Sequence, residues 1–382
     1  MRHLEGLMKS IRIALFLLCP LVLFPSGASA LPATAEVNTY LRFVQTGAER
    51  LAQRDFRGAR DAFEEALRYY DDDAEAYLGL GVACFHLKDD VAAERALRQA
   101  LRRNSRDKRT YVVLGDLAYR SDDLEGAAAA WEQAVEIDPG DEALKARLAR
   151  IQREQRTEKD FNREVTSHFS VKYEGRERIE SGRIVLRVLE DAYGDVGRQL
   201  SFYPDQEIAV ILYSGEQFRE VTDAPGWSGA IFDGKIRIPI GGIEKETPGL
   251  RRILYHEYTH AVVRAITPRV PTWLNEGLAQ YFEGREVDAR SREYLRRLEQ
   301  SGKLPSLKAM EGSFLGLGGD QANAAYLISL SAVKYLSDQF GMYRIRMVLD
   351  ELAGGADISR AVNNAILISY DDFERGWKRS LE

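Results

Sequence analysis

Apolar and small positions recur every 34 residues between residues 40 and 155. Phe43, Tyr77 and Tyr111 fall in register, as do Gly47, Gly81 and Gly115. Ala59, Ala93 and Ala127 follow, then Phe63, Leu97 and Trp131, then Ala66, Ala100 and Ala134. The spacing predicts units of two antiparallel helices. The aligned glycines and alanines let backbones approach closely, and a large residue of the facing helix fills each gap. One unit cannot bury its apolar face alone, so three units stack, with Pro139 closing the third. After it, "DEALKARLARIQREQ" carries Leu144, Leu148 and Ile151 at helical spacing, as a terminal capping helix does.

This pattern resembles the tetratricopeptide repeat (TPR). The resemblance implies an all-α solenoid whose concave face takes a peptide or protein partner, or a rigid spacer for the domain that follows. Cys84, in "VACFHL", is expected buried and unreactive; His86 beside it reads as a surface or groove residue and not a ligand.

Beyond residue 155 the period changes. A charged stretch, "QREQRTEKDFNREVT", reads as a bridge. "HFSVKYE" alternates like a strand, "ESGRIVLRVLEDAYGDVGRQL" is helical and "EIAVILYS" is a buried-type strand. "SGAIFDGKIRIPI" predicts a hairpin on a two-residue Asp233-Gly234 turn, with Pro239 at an edge position. Helical patterns fill the remainder, giving an α+β domain.

Composition narrows the class. The chain has 382 residues, 45% hydrophobic and 29% charged, with a net charge of −6. No long basic stripe argues for nucleic acid. Residues 1–30 have the form of a secretory signal: Lys9 and Arg12, the apolar run "IALFLLCPLVLFP", then Ala28-Ser29-Ala30. Met8 is a plausible start. The run is short for a membrane span, so the only membrane contact expected is through an uncleaved signal. Leu18 before Cys19 argues against a lipoprotein signal. Cleavage leaves Cys84 as the single cysteine, so no internal disulfide forms and cysteine is not the metal ligand type.

The chemistry sits in "YHEYTHAVVRAITPRVPTWLNEGLAQYFE", residues 255–283. Thr247 caps and Pro248 opens a helix that Pro268 ends. His256 and His260, two of five histidines, then stand one turn apart on one face. Two imidazoles so placed can reach one Zn²⁺, with Glu257 beside the metal and able to reach a water bound to it. A histidine six residues after His260 would complete a metzincin set, but Ile266 stands there, and no histidine follows His260. The third ligand is therefore expected to be an acid on the next helix. Glu276 borders the apolar stripe of Trp273, Leu274, Leu278, Tyr281 and Phe282; Thr272 is expected to cap that helix and Gly284 to stop it. Gly277, mid-helix, implies another backbone close by. Glu283 is the alternative ligand, expected to be exposed.

"ILYHEYTHAVV" with "PTWLNEGLAQYFE" resembles the gluzincin peptidases, and most closely the bacterial peptidase MA-like family, over roughly residues 165–380. The resemblance implies His256, His260 and Glu276 as zinc ligands and Glu257 as general base. The fifteen-residue connection between His260 and Glu276 is shorter than in better-known gluzincins. Tyr326 is the candidate oxyanion donor; His168 is a second.

These readings predict residues 1–30 as signal, 31–155 as the TPR array and 156–382 as a zincin-like α+β metallopeptidase domain. The expected function is an exported, periplasmic or extracellular, zinc peptidase cleaving peptide or protein substrates held along an edge strand, with the array recruiting substrate or a partner. The competing readings are a TPR binding protein with a structural zinc domain, and a zinc hydrolase of non-peptide amides.

Overall fold

A computed structural model describes residues 34–175, 178–222, 230–239, 243, 245–314 and 317–382. The expected signal segment lies outside the described residues. The chain divides into two compact units, Met1–Arg156 and Thr157–Glu382.

The first unit is helical. Its pairs are α1 (Thr34–Ala52) with α2 (Phe56–Tyr69), α3 (Ala74–His86) with α4 (Asp90–Arg103), and α5 (Lys108–Arg120) with α6 (Leu124–Ile137); α7 (Glu142–Glu158) follows. The 34-residue register is a packing register. A Cβ on Gly47 would lie 2.8 Å from the Phe63 ring, one on Gly81 2.7 Å from Leu97, and one on Gly115 2.2 Å from Trp131. Each aligned glycine thus receives the aligned large residue of its partner helix. Leu144 and Ile151 of α7 are buried against the Trp131 cluster, so the capping helix is as expected. The corners repeat too. Arg54, Lys88 and Asp122 each adopt φ near 61–62°, and the next residue, Asp55, Asp89 or Asp123, caps the second helix by accepting a backbone N–H. Cys84 is buried, as expected. His86 is partly buried and stacks on Phe56 at 4.2 Å.

The second unit is α+β. Its sheet has the order β1-β2-β3-β5-β4, built from β1 (Phe161–Val165), β2 (Phe169–Glu174), β3 (Ile208–Tyr213), β4 (Ile231–Phe232) and β5 (Ile236–Pro239). β1 pairs antiparallel with β2, β2 and β3 are parallel, β3 and β5 are parallel, and β4 pairs antiparallel with β5. A parallel pair needs a crossover, and α8 (Ile179–Leu200) supplies it between β2 and β3. β1 corrects the reading of "FNREV" as part of a linker. The hairpin forms, but Phe232 pairs with Ile236, so three residues and not two make its turn. Gly234 at φ 118° and the Asp233 carboxylate, which accepts from Lys235 N, accommodate the extra residue. At Pro239 the strand pairs with β3 on one side and with no described strand on the other, so its missing N–H leaves no gap in the ladder.

Alternation along β3 sorts its side chains. Val210 and Leu212 enter the main core; Ile211 and Tyr213 join Phe218 and Val221 of α9 (Gly215–Thr222) on the other face. The main core packs α8 with α10 (Pro248–Ile266), α11 (Thr272–Phe282), α12 (Ala289–Gln300), α13 (Gly319–Phe340), α14 (Met342–Ala353), α15 (Ile358–Ile366) and α16 (Tyr370–Arg379).

Candidate metal centre

α10 begins as its sequence predicts. Thr247 Oγ1 accepts from Leu250 N at 3.1 Å, and Pro248 occupies the first helical position, where no N–H is needed. Leu254, Tyr258 and Val262 enter the core. That stripe fixes the helix's rotation and turns His256 and His260 to a neighbouring face, their rings 4.8 Å apart. α11 is anchored by Trp273, fully buried and stacked on Tyr370 and Phe373. Its N-cap is Pro271; Thr272 does not cap, being already the first helical residue, with its N–H donated to the Glu311 carbonyl. Gly284 ends the helix at φ 77°.

These anchors bring three donors together. Glu276 Oε2 lies 3.6 Å from His256 Nε2 and 3.7 Å from His260 Nε2. Ligand atoms on a tetrahedral zinc at about 2.0–2.1 Å stand about 3.3–3.4 Å from one another. Two sides of the triangle are thus close to zinc size, and all three ligand atoms lie within 4.8 Å of one another. Among the described residues, this is the one group of three or more such side chains that could hold a metal.

The electrostatics fit the same purpose. Burial disfavours a charged His256, but Glu276 and Glu283 outweigh it and push its pKa up to about 10. Burial holds His260 below the ordinary histidine range. Burial also opposes charge on Glu276, yet the two imidazoles prevail and hold its carboxyl low. This crowding of opposed charges is what a divalent ion, binding neutral imidazoles and a carboxylate, would resolve.

Glu257 is 7% exposed. Burial, reinforced by Glu276 and Glu283, pushes its carboxyl up to about 7. Tyr326, on α13, feels the same charges: burial, then Glu276 and Glu257, push its phenol up to about 12. Phe314 meets its ring edge-on at 5.8 Å. His168 is engaged elsewhere, with Nδ1 2.6 Å from Glu190 and its ring stacked on Tyr193 at 3.7 Å.

Glu283 is a correction. Its side chain is 15% exposed, and its Oε2 lies 3.0 Å from His256 Nδ1, the nitrogen turned away from Glu276. It is a partner of the first imidazole and neither an exposed residue nor the third donor. The signal was present: residues 276 and 283 are seven apart, nearly two full turns, and so share a helix face. Gly277 also has a different neighbour from the one its helix pair suggested. A Cβ there would lie 2.4 Å from the Ser329 carbonyl of α13.

Residues 198–382 match the family model of the Peptidase MA superfamily, and residues 45–96 and 90–142 match the tetratricopeptide repeat. No curated protein matches the chain. Similar solved structures include the first TPR of Spaghetti (RPAP3) bound to an HSP90 peptide, at 19% identity over 31% of this chain and 94% of that one, TM-score 0.30. Pseudomonas aeruginosa PilF shows 14% identity over 82% and 98%, TM-score 0.27. A mutant Thermobaculum terrenum O-GlcNAc transferase shows 10% over 91% and 99%, TM-score 0.31. The chain joins tetratricopeptide repeats to a domain of the Peptidase MA superfamily.

Proposed function

We propose that this protein is an exported zinc metallopeptidase. The observation that carries the proposal is the His256–His260–Glu276 triangle with a buried carboxylate, Glu257, beside it. The three side chains would hold Zn²⁺. When bound, the ion supplies Lewis acidity, making water acidic near neutral pH and polarising a carbonyl. Glu257 is the proton carrier: its carboxylate accepts a proton from the attacking water and releases it to the leaving amine. Tyr326 donates its phenolic hydrogen to the developing oxyanion. Glu283 keeps the His256 ring oriented by accepting from Nδ1. β4, the sheet edge beside α10, offers main-chain hydrogen bonds to an extended peptide. The repeats recruit the substrate protein or a partner.

The test is zinc content and cleavage of an unfolded protein by the mature chain, repeated with Glu257→Gln. Retained zinc with cleavage reduced about 10²–10⁴-fold, the weight of a general base, is the expected result. Zinc bound without cleavage by either protein would move the function to the repeats, and cleavage confined to small amides would change the substrate class.

A further inference from the structure

We infer that Gln280 is a positioning residue: its buried amide locks α13 to α11 so that Tyr326 faces the His256–His260–Glu276 centre. The inference rests on the metallopeptidase reading and adds a device that the reading does not contain.

Gln280 is 1% exposed. Its Nε2 donates to the Tyr326 carbonyl at 2.7 Å and to the Glu276 carbonyl at 3.2 Å. Its Oε1 accepts from Arg285 Nη1 at 3.1 Å. Both amide hydrogens and the amide oxygen are thus engaged, in a place where an unmet polar group would be costly. The two carbonyls belong to the donor residue Glu276 and to the candidate oxyanion donor Tyr326. One side chain therefore spans the two helices at the level of the centre.

A second contact fixes what a single hydrogen bond cannot. Gly277 lies three residues before Gln280, and Ser329 three residues after Tyr326. The bare backbone at Gly277 abuts the Ser329 carbonyl. The amide and the glycine together define two points of contact along an antiparallel helix pair, which sets both rotation and slide. A turn of α13 by one residue would swing residue 326 about 100° away. Phe314 supports the ring edge-on but leaves the helix free to rotate.

The experiment uses the full mature chain with 3-fluorotyrosine at position 326, titrated with Zn²⁺ alone. In the wild type the ¹⁹F resonance is expected to move on zinc binding. Gln280→Met removes both donors at similar volume; Gln280→Glu removes them but keeps the acceptor for Arg285, and serves if the first variant does not fold. Both are expected to bind zinc within about threefold of wild type, short of the ten- to hundredfold loss of a metal-orienting partner. Their resonance should move less than half as far. Peptidase kcat should fall about tenfold or more, as for a displaced catalytic group, and should not fall further in a Tyr326→Phe background. An unchanged ¹⁹F displacement in the variants overturns the proposal, as does a tenfold loss of zinc affinity, which would place Gln280 behind Glu276 instead. A zinc-binding wild type with a static resonance overturns this inference alone; a wild type that binds no zinc defeats the metallopeptidase reading and this inference with it.

Discussion

Nδ1 of His256 lies 3.0 Å from Oε2 of Glu283, while Nε2 of the same ring faces Glu276. A carboxylate at Nδ1 holds the hydrogen there and leaves Nε2 as the lone-pair donor. Glu283→Gln and Glu283→Ala are therefore expected to weaken zinc binding about tenfold to a hundredfold, with the loss larger for alanine. Chelator competition measures this. Equal affinity in all three proteins would show that ring orientation is set by packing alone.

Zinc should also stabilise the fold. At a free concentration about 100 times its dissociation constant, a ligand specific for the folded state adds about 2.7 kcal/mol. Denaturant midpoints with zinc and with chelator should differ accordingly, and His260→Ala or Glu276→Ala should erase the difference.

Glycines in this chain are not equivalent. Gly277→Ala places a methyl group 2.4 Å from the Ser329 carbonyl, a backbone atom with nowhere to go. It should destabilise by about 1–3 kcal/mol, the usual range for overpacking. At Gly194, inside α8, a Cβ meets nothing within 4 Å. Gly194→Ala should stabilise by about 0.5–1 kcal/mol through backbone entropy. Urea midpoints of the two variants should therefore shift in opposite directions.

His86 gives the first unit an acid sensitivity. Burial, with Arg54 and Arg120 nearby, pushes its imidazole down to about 4. The folded state therefore binds the proton less readily than the unfolded chain does. Stability is whole above the ordinary histidine value and is lost as pH falls from about 6.5 towards 4. Allowing for partial exposure, the loss is on the order of 2 kcal/mol. His86→Gln should flatten that part of the stability profile; an identical acid loss in both proteins would assign the effect to carboxylates.

The repeat array was legible because one register carries both parts of the contact, Gly115 and Trp131 for instance. The two imidazoles were legible because helix pitch alone brings them together. Glu276 needed one further step, the absence of any later histidine. What could not be read depends on neighbours distant in sequence. The partner of Gly277 is a carbonyl of α13, which no local pattern names. β1 hid within a charged run because it is an edge strand, where Arg163 is exposed and Asn162 and Glu164 are only half-buried. Glu283 reads as exposed because it follows the last apolar residue of the stripe, although its seven-residue spacing from Glu276 puts it on the same helix face.

The corner that returns at Asp55, Asp89 and Asp123 bears on how such a chain can change length. Each bend carries its own instructions in the residues beside it. Duplication of a whole 34-residue segment would import a finished bend along with its helices. The N-terminal unit could then lengthen by whole repeats with no change to residues 255–283.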